Sequence, residues 1–274
     1  MKKQINPNRF GFLVVACLSF LGTNASYAQP DNRFRQPHSR NQFEVLVYTS
    51  PDKWHNITEP VALLAFQDLA QKHAFGFTWT TVNSMFNDKD LAQFDVIVFL
   101  QSTSRDFSSE ELESFKRFIR KGGGFVGIHA TSVCAEEGEW FKKLVGRTFT
   151  LHPEEQTAVL NVLNKNHPST MHLPDQWIWT DEWYSFTEPL TENQQVLITV
   201  DESTYDPDRT WGDDRVTAMG DFHPIAWCQE FDGGRSFYTA MGHMPALFKD
   251  PWFLDHIYGG IFWAATGLGF QEER

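Results

Sequence analysis

Asp95–Ala130 reads DVIVFLQSTSRDFSSEELESFKRFIRKGGGFVGIHA and carries the clearest folding signal of the chain. Its ends, Asp95–Leu100 and Phe125–Ile128, are short apolar runs of the kind expected for strands that are buried on both faces. Between them lies a helix pattern that begins at Ser108 and ends at Lys121, a basic residue followed by glycines. A strand, a helix and a strand joined by short connections predict a parallel α/β sheet with helices on both faces.

The same alternation extends towards the N-terminus and changes after about residue 150. The runs Phe43–Thr49 and Phe77–Val82 are predicted strands on either side of a helix over Thr58–Lys72, and an apolar helix over Pro251–Thr266 closes the chain. The strands predicted for the second half are Thr157–Leu163, Trp177–Phe186, Val196–Val200, Ile225–Phe231 and Arg235–Met241. We therefore predict one domain, residues 43–270, with a β-rich second half.

The composition describes a packed protein with an acidic surplus. Among 274 residues, 35 are acidic and 23 are basic, which gives a formal net charge of −12. This balance argues against nucleic acid and against an anionic membrane surface, both of which bind clustered Lys and Arg. The 25 Phe and 10 Trp argue against disorder, because they supply enough apolar surface for a core.

The N-terminus has the pattern of an export signal. A basic start is followed by the apolar run Phe10–Leu21 and by small residues before Gln29, so residues 1–28 are a predicted signal peptide. Residues 29–42 are then a flexible leader. The apolar run is too short to span a bilayer, so we expect a periplasmic protein without a membrane span after cleavage. An alternative is a lipoprotein signal in which Cys17 becomes the anchored residue.

Polar residues follow several predicted strands, at the edge where open α/β sheets bind ligands. His129 and His243 each follow a strand end, and they share one crevice if those two strands are neighbours. The predicted catalytic residues are His129, His243, Glu182 and Asp181, and the predicted substrate-binding residues are His55, Trp54, His152, His223 and Trp183.

Neutral imidazoles beside a carboxylate are suited to two kinds of chemistry. They can act as acid and base near neutral pH, or His129 and His243 can bind a divalent metal such as zinc. The tryptophans and carboxylates fit a small carbohydrate, because sugar faces stack on aromatic rings. The sequence contains no dinucleotide-binding fingerprint, so we expect neither a nicotinamide nor a flavin cofactor.

The run GGGFVGIHA (Gly122–Ala130) resembles the ThuA-like, trehalose-utilisation family of the class I glutamine amidotransferase-like superfamily. The other runs that carry the resemblance, in chain order, are LVGRTFTLHP (Leu144–Pro153), NHPST (Asn166–Thr170), TDEWYSF (Thr180–Phe186), HPIAWCQEFDGGRSFYTAMGH (His223–His243) and IFWAATG (Ile261–Gly267). The resemblance implies a flavodoxin-like three-layer α/β/α sandwich and a role in carbohydrate metabolism. It also implies polar family positions at His129, His152, Glu182, His223 and His243.

The resemblance also argues against one activity of the superfamily, the hydrolysis of glutamine. Glutamine amidotransferases place a thiol nucleophile in a G-x-C-x-G arrangement, whereas this sequence has His129 at that position. Without the thiolate there is no acyl-enzyme from glutamine, so we predict that the protein is not a glutaminase. The mature chain keeps only Cys134 and Cys228, and the sequence leaves open whether they form a disulfide.

These observations predict an exported enzyme that acts on a keto-sugar or glycoside through a His/carboxylate site. A non-catalytic periplasmic sugar-binding module is the alternative from a different functional class. A thiol-dependent hydrolase that uses Cys134 is a third hypothesis.

Overall fold

A computed structural model describes residues 40–50, 52–208 and 218–269. The predicted signal peptide with Cys17, and all but the last three residues of the predicted leader, lie outside the described residues. In the part of the chain that is described, no helix has the length and apolar character needed to cross a membrane.

The described strands and helices alternate in the first half, as the sequence pattern predicts. The strands are β1 (Glu44–Tyr48), β2 (Gly76–Thr80), β3 (Val96–Leu100), β4 (Gly124–Ile128), β5 (Phe149–Leu151), β6 (Gln156–Val162), β7 (Gln176–Asp181), β8 (Ser185–Phe186), β9 (Gln195–Asp201), β10 (His223–Phe231) and β11 (Gly234–Thr239). The α-helices are α1 (Glu59–His73), α2 (Asp88–Leu91), α3 (Ser109–Arg120), α4 (Glu139–Val145) and α5 (Pro251–Thr266).

One sheet of nine strands, in the order β2-β1-β3-β4-β11-β10-β9-β6-β7, organises the described chain. Strands β2, β1, β3 and β4 pair in parallel, and β11 pairs in parallel with β4. The remaining pairs are antiparallel. The β10–β11 hairpin turns through Asp232 and Gly233, which both have positive φ angles of 49° and 92°, as a tight type I′ turn requires. This hairpin brings β11 back beside β4.

Helices cover both faces of the parallel strands. A Cβ atom added at Gly124 would lie 2.4 Å from the carbonyl oxygen of Ala264, so the absence of a side chain there lets α5 pack against β4. The next residue, Phe125, points to the other face and contacts Phe115 of α3 and Phe141 of α4. Successive strand residues face opposite sides, and the central strands are therefore buried between two helical layers.

The structure corrects several boundaries. Trp177–Phe186 is not one strand, because the segment between β7 and β8 leaves the sheet. Thr58 precedes α1, but its side chain makes no capping hydrogen bond, whereas Ser108 forms a full capping box at α3. The short helices α2 and α4 were not predicted. Cys134 and Cys228 are both buried free thiols rather than a disulfide.

Candidate active site

A cavity of about 730 Å³ lies at the carboxyl ends of the parallel strands. The ionisable side chains that line it include His55, His152, Glu155, Glu182 and His243. His129 is fully buried next to them. The strand ends therefore bring together residues that are far apart in the sequence, as the adjacency of β4 and β11 allows.

His129 occupies a sharp junction between β4 and a following 3₁₀ turn. Its φ angle is +53°, and Gln101 at the end of the neighbouring strand β3 has a φ angle of +52°. The left-handed region is costly for residues with a Cβ atom and is found at functional sites. The Nδ1 atom of His129 lies 2.7 Å from the carbonyl oxygen of Ala240. This contact orients the ring and directs Nε2 towards Glu182 and His243.

Glu182 is the centre of the cluster, with three imidazole nitrogens around one carboxylate. Its Oε2 atom lies 3.3 Å from Nε2 of His129 and 3.6 Å from Nε2 of His152, and its Oε1 atom lies 3.3 Å from Nε2 of His243. Burial opposes ionisation of Glu182, but the hydrogen bond with His129 and the nearby imidazoles outweigh it and lower the pKa to about 2. The carboxyl group is therefore ionised at neutral pH.

Burial lowers the pKa values of His129 and His243, the two histidines that follow strand ends. It is the main cause that lowers the pKa of His129, against the attraction of Glu182. Burial and the neighbouring His129 lower the pKa of His243 to about 4, with Glu182 again opposing. Both imidazoles are therefore neutral near pH 7, and each has one nitrogen lone pair.

Asp181 holds the loop that carries His243. Its carboxylate accepts hydrogen bonds from the backbone N–H groups of Gly242 (2.8 Å), His243 (3.2 Å) and Glu182 (3.0 Å). The indole N–H of Trp179 is a fourth donor, at 3.3 Å. Burial raises the pKa of Asp181 to about 7, against these donors. Asp181 is fully buried and does not line the cavity, so the prediction of a catalytic carboxylate is revised to a positioning residue.

His55 reaches the cluster from the loop after β1. Its Nδ1 atom lies 2.9 Å from Oδ2 of Asp52, and its ring centroid is 5.2 Å from that of His129 and 5.5 Å from that of His243. Burial opposes ionisation of Asp52, but the hydrogen bond with His55 and two backbone N–H donors lower its pKa. Trp54 is 67% exposed and also lines the cavity.

Tyr184 is a site residue that no sequence pattern had indicated. Its hydroxyl group lies 2.8 Å from Nε2 of His129, and burial raises its pKa well above the ordinary value. The phenol therefore keeps its proton at neutral pH. Its sequence signals were its place two residues after Glu182, in a run that was predicted to be a single strand, and its place in the run TDEWYSF that carries the family resemblance.

Comparison with known proteins adds to this geometry. The profile of the ThuA family, described as trehalose utilisation, matches residues 44–264. The chain belongs to the ThuA family. A search of curated protein sequences gave no match.

Solved structures agree with the family assignment. A ThuA-like protein from Bacteroides uniformis is 25% identical, with a TM-score of 0.70 over 89% of this chain and 95% of its own. A ThuA-like protein from Parabacteroides merdae is 19% identical, with a TM-score of 0.67 over 84% of this chain and 92% of its own. A GMP synthase subunit from Thermoplasma acidophilum shares the fold at 12% identity, with a TM-score of 0.50 over 84% and 97% of the two chains. The predicted flavodoxin-like class is confirmed, and ThuA membership supports a carbohydrate-related role.

Two residues that were predicted to bind substrate lie away from the cavity of this ThuA-family chain. Trp183 is only 1% exposed, and its indole N–H donates to the carbonyl oxygen of Gln156. His223 is fully buried between Oε1 of Glu202, 2.9 Å from Nδ1, and the carbonyl oxygen of Tyr184, 2.8 Å from Nε2. We therefore correct both assignments, because burial separates both residues from any ligand in the cavity. His223 instead supports the backbone of Tyr184.

The thiol of Cys134 is not part of the site. Cys134 is fully buried, its sulfur faces the hydroxyl of Thr148 at 3.9 Å, and burial raises the pKa of the thiol to about 12. A buried protonated thiol is a poor nucleophile. The geometry therefore gives no support to the thiol-dependent hydrolase.

Among the described residues, two groups of side chains in or next to the cavity could hold a metal ion. One ring nitrogen from each of His55, His129 and His243 lies within 4.8 Å of the others, and Glu155, Glu182 and His243 form a second group that meets the same limit. The first group adds His55 to the predicted pair of His129 and His243.

Proposed function

We propose that this ThuA-family protein is an exported enzyme that transfers a proton to or from a keto-sugar or glycoside. The observation that carries the proposal is the contact of one buried carboxylate, Glu182, with three imidazoles next to a cavity of about 730 Å³. The volume suits a small saccharide. The export signal of residues 1–28 is part of this proposal.

The cluster supplies the groups that removal of a proton beside a carbonyl requires. Glu182 is ionised and can accept a proton, and His152 lies beside it in the cavity wall to exchange that proton. Because the pKa of Glu182 is low, the substrate carbonyl must be polarised to acidify the neighbouring C–H bond. Tyr184 lines the same wall and keeps its proton at neutral pH, so its hydroxyl can donate to the substrate oxygen when it gives up its 2.8 Å contact with Nε2 of His129.

Solvent isotope exchange tests the proposal without knowledge of the product. Keto-sugars and their parent glycosides are incubated with the protein in D₂O, and deuterium entry at carbon is followed by mass spectrometry and NMR. We expect exchange for a keto-sugar and a loss of about 10²–10⁴-fold in the Glu182→Gln variant, the range for loss of a general base. The exposed Glu188 offers the matched control Glu188→Gln, which should keep the wild-type rate.

Two results would reject the proposal. Exchange at the wild-type rate in a folded Glu182→Gln variant would remove Glu182 from the chemistry. Saccharide binding by calorimetry, without exchange or turnover for any sugar, would favour the non-catalytic binding module.

A further inference from the structure

In two histidines of the cluster, the ring nitrogen that points away from the other imidazoles lies against a hydrogen-bond acceptor. The Nδ1 atom of His129 lies 2.7 Å from the carbonyl oxygen of Ala240, and Nδ1 of His55 lies 2.9 Å from the carboxylate of Asp52. Each acceptor requires an N–H donor. In a ring that donates from Nδ1, Nε2 is the nitrogen left to bind a metal ion, and in His129 this nitrogen lies 2.8 Å from the hydroxyl of Tyr184 and 3.3 Å from Oε2 of Glu182. Such outer partners are the usual means of orienting metal-binding histidines.

In His243 the nitrogen that faces hydrogen-bond acceptors is Nε2 rather than Nδ1. Its Nε2 atom faces two carboxylates, with Oε1 of Glu182 at 3.3 Å and Oε1 of Glu155 at 3.7 Å. Carboxylates only accept, so the proton belongs on Nε2 and the lone pair on Nδ1. That Nδ1 atom lies 3.2 Å from Nε2 of His129. Two imidazole nitrogens at this distance can share one proton or one cation.

The spacing matches a shared cation. Two nitrogens bound to one zinc ion at tetrahedral geometry are about 3.3 Å apart, given Zn–N bonds of about 2.0–2.1 Å. The observed separation of 3.2 Å between His129 and His243 agrees with this value, and a nitrogen of His55 is within 4.8 Å of both. The carboxylates of Glu182 and Glu155 add negative charge on the same side.

We propose that His55, His129 and His243 form a binding site for a divalent transition-metal ion of the zinc type. Three imidazoles favour such ions over magnesium and calcium, which take oxygen ligands. Three protein ligands would leave one coordination position for solvent or substrate, and two of the three, His55 and His243, line the cavity. The hydroxyl of Tyr184 lies 2.8 Å from Nε2 of His129, so an ion on that nitrogen replaces this contact. The bound ion supplies a Lewis acid to a sugar oxygen.

Metal content tests this site independently of any catalytic activity. The full chain is purified, stripped with chelator, reloaded with Zn²⁺ or Co²⁺ in the presence of excess Mg²⁺, and measured by elemental analysis. We expect one equivalent of Zn²⁺ or Co²⁺ per chain, a visible Co²⁺ spectrum typical of four-coordinate nitrogen ligation, and a higher Tm with Zn²⁺. Binding far below one equivalent would overturn the proposal.

Matched variants locate the ion. His55→Gln and His243→Gln change residues at the cavity wall, and each should lose the bound equivalent and the Zn²⁺-dependent rise in Tm. Asp52→Asn should keep one equivalent with affinity reduced about 10–100-fold, as expected for an outer partner. His172 lies outside the cluster, where its ring bonds to the backbone of Trp252, so His172→Gln is the control that should bind like wild type. Retention of one equivalent by both His55→Gln and His243→Gln would place the ion elsewhere and reject this site.

Discussion

The hydroxyl group of Thr58 donates a 2.6 Å hydrogen bond to the backbone carbonyl oxygen of His243. Thr58 is 1% exposed and immediately precedes α1, whereas His243 follows β11 at the far end of the sequence. The same loop is also held by Gln101, whose amide donates to the carbonyl oxygen of Gly242 at 2.6 Å. The loop that carries His243 after β11 is therefore held by residues next to α1 and β3 as well as by Asp181 of β7.

Replacement of Thr58 by Val keeps the shape of the side chain but removes this donor. The buried carbonyl of His243 is then unpaired, so we expect a loss of about 1–3 kcal/mol in the free energy of unfolding. Urea unfolding with matched m-values provides the measurement. Thr58→Ser keeps the hydroxyl and should retain most of the stability, and a Val variant as stable as wild type would contradict the assignment.

Asp181→Asn tests the role of Asp181 as an anchor rather than a catalytic group. An amide cannot accept from all four donors and places an NH₂ group against backbone N–H groups, so we expect a loss of about 1–3 kcal/mol. The comparison is made at about pH 8.5, above the raised pKa of about 7, where Asp181 is ionised. Equal stability of the Asn variant at this pH would show that the four hydrogen bonds are dispensable.

The two thiols should resist alkylation in the native state. Burial raises the pKa of both Cys134 and Cys228 to about 12, so almost no thiolate is present at neutral pH. We expect iodoacetamide to leave both residues unmodified in the native protein and to modify both in denaturant, as counted by mass spectrometry. Rapid native labelling of Cys134 would revive the thiol-dependent hypothesis.

Acid should weaken the fold through two buried histidines outside the cavity. Burial lowers the pKa of His167 to about 4 and of His256 to about 3, whereas an unfolded His titrates near 6.5. The unfolded chain therefore binds more protons below about pH 6.5, and stability falls as the pH drops from there to the folded-state values. Each group contributes a slope of about 1.4 kcal/mol per pH unit in that window.

Urea unfolding between about pH 7.5 and pH 4.5 measures this effect. His256→Gln removes one titrating group, so its stability should change less steeply with pH than that of the wild type. An identical pH slope in the two proteins would show that His256 is not neutral in the folded state at acidic pH.

Short sequence patterns predicted most of the strands and longer helices, because each of these elements depends on residues that are close together in the sequence. The buried run of β3, the capping box at Ser108 and the closing helix Pro251–Thr266 each have a short sequence signature. The four-residue helix α2 is too short to show a period, and α4 has only seven residues. The break after Asp181 was missed because no turn residue marks it, and the carboxylate there accepts hydrogen bonds from the distant backbone of Gly242 and His243.

The site was predictable where it depends on topology and not where it depends on side-chain direction. His129 and His243 follow adjacent parallel strands, so strand ends alone place them together. Asp181 and Glu182 are neighbours in the sequence, but only Glu182 lines the cavity. The sequence pattern likewise could not distinguish Trp183, which points into the core, from Tyr184, which faces His129.

The pairing of β11 with β4 has a consequence for how the site forms during folding. His129 and Ala240, whose contact orients the first imidazole, are 111 residues apart in the chain. Contacts of such long range are slow to form, because a long loop must close before they contribute. We therefore expect the site to assemble in the last steps of folding. A nascent or proteolysed chain that ends before residue 234 lacks β11 and His243, although it holds the strands β1–β4. Such a fragment keeps His129 but lacks its partners Ala240 and His243, so the candidate site is incomplete in it.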